Sequence, residues 1–176
     1  MTSRVKILDL TADHLPEMIK LRMSTERLHR RLLPRIFHGR RTEAETEANL
    51  RRYLGLVDDK EPRNRFAIGC TDAGTLRGYA LYSLFDWPQD DTMNARRGIY
   101  VRDIAVAESH LRQSIGSSLL QELRRRAEAS GLPAELHATI WEGNDASKAL
   151  FKKAGFVPLN TSYALYLDQA GASDGA

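Results

Sequence analysis

The stretch from Gly98 to Ile140 constrains this chain most. Gly98 to Val106 reads Gly-Ile-Tyr-Val-Arg-Asp-Ile-Ala-Val, rich in β-branched and aromatic residues, and predicts a central strand. Beyond a loop, Ile115, Leu119, Leu123 and Ala127 recur at i, i+4, i+8 and i+12, with Arg124, Arg125 and Glu128 outside that stripe. That spacing predicts a helix with one apolar face. Gly131 is placed to end it, Pro133 blocks its continuation, and Ala134 to Ile140 reads as another strand. Strand, helix and strand in this order predict a right-handed parallel crossover.

The flanking sequence adds antiparallel elements. Val5 to Leu10 alternates apolar and polar residues as a strand does. Thr11 reads as an N-cap, with Leu15, Met18, Ile19, Arg22 and Met23 at helical spacing. Pro34 and Gly39 interrupt the following basic stretch. Thr42 and Glu45 have capping-box spacing and predict a second helix to about Val57. Arg65 to Thr71 and Leu76 to Asp86, joined by Asp72-Ala73-Gly74, predict a hairpin. Asn144 is placed to cap a short helix ending near Ala154, and Phe156 to Leu159 and Tyr163 to Leu167 read as closing strands. The expected order is β-α-α-β-β-β-α-β-α-β-β: one α/β domain, α+β-like, with a mixed sheet and helices on both faces. The domain is expected over residues 1–169, with 170–176 as a flexible tail.

Composition narrows the function classes. The chain has 176 residues, 42% of them hydrophobic and 28% charged, which suits a folded domain. Its single cysteine, Cys70, excludes an intramolecular disulfide framework and a cysteine-rich zinc site. The apolar run Tyr79 to Phe85 is far short of the roughly 20 residues of a membrane helix. The start, Met-Thr-Ser-Arg-Val-Lys, lacks the apolar region of a signal peptide, so a cytoplasmic location is expected. The formal charge of +3 is unevenly spread. Between Arg22 and Arg41 stand seven arginines, His29 and His38, and one acid, Glu26. Such a stretch either meets an anionic partner or keeps a helix face solvated.

The loop His110-Leu111-Arg112-Gln113-Ser114-Ile115-Gly116-Ser117-Ser118 lies between the central strand and its helix. Small residues at 114, 116, 117 and 118 let a ligand approach the backbone where free N–H groups and the helix dipole favour phosphate. A serine-rich helix start without a ligand is the alternative. The loop is neither a Walker motif nor a dinucleotide Gly-x-Gly-x-x-Gly.

These residues, with Asn144-Asp145-Ala146-Ser147-Lys148-Ala149-Leu150-Phe151-Lys152-Lys153-Ala154-Gly155-Phe156, resemble the GCN5-related N-acetyltransferase family. The likeness in element order spans Val5 to Leu167. The family places an aliphatic strand end about ten residues before the last glycine of an Arg/Gln-x-x-Gly-x-Gly/Ala loop; Val106 and Gly116 stand there. This register puts Leu111 at the usual Arg/Gln and Ser114 at the usual first glycine. A shifted register from Gln113 to Ser118 fits the letters better, but breaks the Val106 spacing and the apolar stripe. Serine at 114 keeps the close approach on condition that its φ is not strongly positive.

The resemblance implies transfer of acetyl from acetyl-CoA, without a metal, to a primary amine that attacks the thioester directly in a ternary complex. Ile104, Ala105 and Val106 would hold the pantetheine arm. Leu111, Arg112, Gln113, Ser114, Ile115, Gly116 and Ser117 would surround the pyrophosphate. Asn144 and Phe151 would line the arm near the thioester, compatibly with an N-cap role for Asn144. Phe151 occupies the place where many relatives carry a proton-donating Tyr. Arg102 falls where polyamine acetyltransferases carry a Glu, and there it would repel a polycation.

Alternation along the strand puts Tyr100, Arg102, Ile104 and Val106 on one face and Asp103 on the other. Tyr100 and Glu142 are the catalytic candidates. His137 is a further candidate base, and Tyr163 and Tyr166 are set on the acceptor side. The expected partners are acetyl-CoA and an amine acceptor, with a homodimer by analogy. Two other readings are a CoA-binding module with weak or lost catalysis, and an acetylase of aminoacyl-tRNA using the 22–41 stretch.

Overall fold

The computed structural model describes residues 5–37, 39–57, 64–129 and 135–162. Its elements are β1 (Lys6–Asp9), α1 (Leu15–Leu32), α2 (Glu43–Tyr53), β2 (Arg65–Asp72), β3 (Thr75–Trp87), β4 (Arg96–Val106), α3 (Ile115–Glu128), β5 (Glu135–Ala138) and α4 (Asp145–Lys153). The strands form one sheet in the order β1-β2-β3-β4-β5. Its first three pairings are antiparallel and β4–β5 is parallel. The mixed α/β class holds, and α3 forms the crossover from β4 to β5. No described helix is long and apolar enough to cross a membrane.

Local chemistry explains most element ends. Thr11 caps a short 3-10 turn (Ala12–His14) before α1, rather than α1 itself. The capping box of α2 is formed: Glu45 N–H donates to Thr42 Oγ1 at 3.2 Å, and Thr42 N–H donates to Glu45 Oε2 at 2.7 Å. This helix ends at Tyr53, short of the expected Val57, with Gly55 in the left-handed region at φ +67°. Ala73 and Gly74 take φ of +48° and +79°, the two positive values of a type I′ hairpin turn.

Helices cover both faces of the sheet. Ile115, Leu119, Leu123 and Ala127 of α3 are buried with Ile68, Ala80, Tyr82, Ile99 and Val101, and Phe151 of α4 joins them. On the opposite face, Leu15, Met18 and Ile19 of α1 and Leu50 of α2 are buried with Ala67, Tyr79, Leu81 and Ala105.

Two further expectations fail. Phe156 to Leu159 is not a strand. Phe156 N–H donates instead to the Phe151 carbonyl at 3.1 Å, so the chain wraps the end of α4, helped by Gly155 at φ +91°. The second failure is the alternation of β4. The register passes from Leu81↔Asp103 to Tyr82↔Val101, leaving Arg102 as an extra residue with no partner on β3. This bulge shifts the pleat by one residue. Ile99, Val101, Ile104 and Val106 therefore all face the α3 core, and Asp103 and Ala105 face the α1 side. Gly131, Pro133, Tyr163 to Leu167 and the 170–176 tail lie outside the described residues.

Candidate active site

The parallel ladder between β4 and β5 covers only Gly98↔Glu135 to Val101↔Ala138. Beyond it β4 continues to Val106 while the other chain turns away, so the sheet opens. Ala107 N–H donates to the Arg77 carbonyl at 2.8 Å. In an antiparallel pair the bonded residues alternate, so Ala105 and Asp103 also turn their main-chain groups to β3. Ile104 and Val106 then turn theirs to the open edge. Their side chains pack against the α3 core, so what this edge offers is backbone. Of the three residues expected at the pantetheine arm, Ile104 and Val106 fit through their main chain. Ala105 turns its main chain to β3 and buries its side chain on the α1 face.

The open edge leads to the start of α3. A 3-10 turn (Glu108–His110) is followed by exposed Leu111 and by Arg112 at φ +63°. The Gln113 side chain donates to the Ser109 carbonyl at 3.2 Å. Ser114 caps α3 at φ +62° and makes no side-chain cap bond. The condition placed on it is not met: this is a left-handed conformation that favours glycine, and serine holds it at a cost of about 1 kcal/mol. The same fact supports the register in which Ser114 stands at a glycine position.

The first bond inside α3 is from Ser118 N–H to the Ser114 carbonyl, so the amides of Ile115, Gly116 and Ser117 precede the ladder. No acid lies in this first turn. The Ile115 side chain is in the core. At Gly116 an added Cβ would lie 2.9 Å from Leu150, so this glycine serves the approach of α4.

Asn144 caps α4, its Oδ1 accepting from Ser147 N–H at 3.2 Å, and is 8% exposed. Phe151 belongs to the core, with its ring 4.9 Å from Phe156 in an edge-on arrangement. Both sit on the helix that flanks the opening.

The α1 side of the opening carries side chains. The Tyr100 hydroxyl and Thr139 Oγ1 share a hydrogen bond across it. Arg102 folds back over the Tyr100 ring, 4.1 Å from its centre, and its Nε donates to Ser83 Oγ at 2.9 Å. Phe37, just beyond α1, meets Trp141 edge-on at 5.2 Å and stacks on His29 at 5.3 Å. These three rings wall the opening. Burial, together with Arg22, holds the His29 imidazole below its ordinary pKa.

Beneath this wall the Tyr79 hydroxyl donates to Asp103 Oδ2 at 2.7 Å, and Arg22 pairs with the same carboxylate at 2.5 Å. Burial works against the Arg22 charge, and Asp103 more than offsets it, keeping the guanidinium ionised. Burial beside Asp103 pushes the Tyr79 phenol up, so it stays neutral. Asp103 is thus committed to holding α1 on β4.

The other candidates differ in fitness as bases. Glu142 has a 90% exposed side chain paired with Lys148, and that contact holds its carboxyl below the usual range. A base so placed is weak. His137 faces Phe85 and Trp87 edge-on, and its Nε2 is 2.5 Å from Glu135. Tyr163 and Tyr166 lie outside the described residues. Among the described residues no three His, Cys, Asp or Glu side chains group to hold a metal.

Sequence reasoning missed Ser83, Thr139, the Phe37–Trp141 wall and the bulge. The adjacent polar pair Arg102-Asp103 inside an apolar strand is the one signal that could have disclosed the bulge. The Phe37–Trp141 contact joins residues over a hundred positions apart and leaves no local pattern.

The acetyltransferase (GNAT) family model matches residues 26–156. The chain belongs to that family and is, by membership, an acetyl-CoA-dependent N-acetyltransferase. Among solved structures, a tetramutant of the BH1408 protein from Bacillus halodurans is 18% identical, covering 92% of this chain and 99% of its own, with a TM-score of 0.80. Aminoglycoside N-acetyltransferase AAC(6')-Iy in complex with CoA is 14% identical, covering 96% and 97%, with a TM-score of 0.69. An aminoglycoside acetyltransferase, meta-AAC0020, from an uncultured soil metagenomic sample is 16% identical, covering 93% and 95%, with a TM-score of 0.62. At these identities the likeness is one of fold. A search of curated protein sequences finds no match.

Proposed function

We propose that this protein transfers the acetyl group of acetyl-CoA to a primary amine by direct attack in a ternary complex. One observation carries the reading: the open edge of β4 at Ile104 and Val106 leads into a helix start with free amides and no acid. An amide-bearing pantetheine arm can add to that edge as an extra strand would. The pyrophosphate suits the amides of Ile115, Gly116 and Ser117 and the positive end of the α3 dipole. In this reading residues 111–117 surround the phosphates, and Asn144 and Phe151 flank the arm near the thioester.

The amine nitrogen bonds to the acetyl carbon, the C–S bond breaks, and its electron pair leaves on sulfur. The proton lost by the amine reaches the thiolate through water, giving the N-acetyl amine and CoA. Phe151 cannot supply that proton. Tyr100, at the opening, has a hydroxyl that can orient the incoming nitrogen. A lysine-like amine with a pKa of about 10.4 is largely protonated at neutral pH. With Glu142 paired and exposed, the neutral amine comes from solution equilibrium. The logarithm of kcat/KM therefore rises with unit slope toward the amine pKa; a plateau beginning near pH 7 would instead reveal an engaged base.

The test combines binding and turnover. Acetyl-CoA raises the melting temperature, and CoA is released in the presence of amines from a panel of small amines, peptides and aminoacyl-tRNA. Absence of any thermal shift overturns the reading. Binding without release from any acceptor favours the silent CoA-binding module, for which Phe151 and Arg102, standing where relatives carry a proton donor and a carboxylate, are the motive.

A further inference from the structure

Resting on the acetyltransferase reading, we infer that the acceptor amine carries an anionic carboxylate or phosphate group, held by Arg102. Arg102 is the extra residue of the β4 bulge, at the point where the β4–β5 ladder stops. Its guanidinium is fixed at two places, over the Tyr100 ring at 4.1 Å and through Nε to the buried Ser83 hydroxyl at 2.9 Å. Neither contact neutralises it, and no described carboxylate pairs with it. Fixing Nε and the plane leaves the terminal nitrogens as donors in the fork geometry that suits an oxyanion. A charge held this way has surrendered its side-chain freedom before the ligand arrives.

The surrounding acids are already engaged. Asp103 is bound to Arg22 and Tyr79. Glu26 is shared by Arg22 and Arg41. Glu135 lies between Arg96 and His137, Glu142 is on Lys148, and Glu108 accepts from Ser24. Asp103, Glu26, Glu135 and Glu142 are thus each paired with a cation and are not free to receive a second ammonium group. Arg27 and Arg31 of α1 and Arg40 in the loop after it have no carboxylate partner among the described residues, and they contribute a positive field from that element. That field draws an anion and repels a polyamine. The acceptor therefore presents one amine to the thioester and one anionic group to Arg102.

The test uses matched acceptors. Each common α-amino acid is compared with the amine that lacks its carboxylate, phosphoethanolamine is compared with ethanolamine, and spermidine serves as the polycation. In the wild type, CoA release favours the anion-bearing member of at least one pair, and spermidine is poor. Which pair responds tells carboxylate from phosphate. Arg102→Ala lowers the kcat/KM ratio of that pair by about 10- to 100-fold, mainly through KM, as expected for loss of a charge-assisted hydrogen bond. Arg102→Lys retains part of the preference, and Arg102→Glu shifts it toward spermidine. The acetyl-CoA-induced thermal shift is measured in each variant to show that the fold and the cosubstrate site persist. An unchanged ratio in Arg102→Ala overturns the inference. So does a wild-type preference for neutral or polycationic amines, or acetyl-CoA binding with no turnover of any anion-bearing amine. Failure to bind acetyl-CoA overturns the acetyltransferase reading instead.

Discussion

On the α3 side of β4, what is offered to a ligand is main chain: the edge groups of Ile104 and Val106 and the first amides of α3. The side chains there are turned into the core. On the α1 side, what is offered is side chains: Tyr100, Arg102, Thr139, Phe37 and Trp141, with the Tyr79–Asp103–Arg22 set holding α1 on β4. Backbone recognition depends on strand pairing and helix geometry, and so tolerates many sequences. Side-chain recognition depends on identity at particular positions. On the α3 side Leu111, Ser114 and Phe151 depart from the family pattern while the main-chain edge and helix start are still formed; on the α1 side a changed side chain, as at Arg102, changes the surface itself.

The contrast can be broken most forcefully at Asp103. Asp103→Ala leaves Arg22 partly buried without its main partner and Tyr79 without its acceptor, and should cost about 3–5 kcal/mol in denaturant unfolding. A loss below about 1 kcal/mol would mean that the α1 side is not held by this set.

Acid tests the α3 side next. Hydrogen bonds from Arg125 and Arg126, acting against burial, hold the Glu122 carboxyl at about 2. The folded value is depressed below the ordinary 4.5, so the stabilisation is complete above pH 4.5 and is lost as pH falls toward 2. Glu122→Gln should remove that part of the acid dependence, and an unchanged slope of stability against pH would contradict the assignment.

A smaller effect is expected at Ser114. Ser114→Gly relieves a positive φ and should stabilise by up to about 1 kcal/mol, read as a raised Tm, while keeping acetyl-CoA affinity. A lowered Tm would show that the unfolded-state entropy of glycine outweighs the relief. The smallest effects are expected at the exposed loop side chains. Leu111→Ala and Gln113→Ala should each change acetyl-CoA affinity by no more than about threefold, since both variants keep the main-chain amides that meet the phosphates. A tenfold loss would place side chains, not backbone, at the phosphates.

The sequence disclosed those parts of the fold whose signals are local. The α3 stripe, the Thr42–Glu45 box, the β2–β3 turn and the Asn144 cap are periodicities or short motifs, and each is formed. The β4 alternation failed because a bulge is a single-residue event that the pairing partner decides. Phe156 to Leu159 failed because apolar residues that wrap a helix end resemble a strand. At the site, the loop and the open edge were legible as a resemblance, and the positive φ of Ser114 was not. Tyr100 was legible as a candidate, but its bond to Thr139 and the Phe37–Trp141 contact were not, since these pairs meet only when the sheet is assembled.

In the proposed function a bare strand edge and a helix start hold the cosubstrate. Residue-resolved amide hydrogen exchange, with and without saturating acetyl-CoA, tests it most directly. Slowed exchange at Ile104, Val106, Ile115, Gly116 and Ser117, with Ala105 unchanged, is the predicted result. Binding that protects another surface and leaves these amides as they were would contradict it.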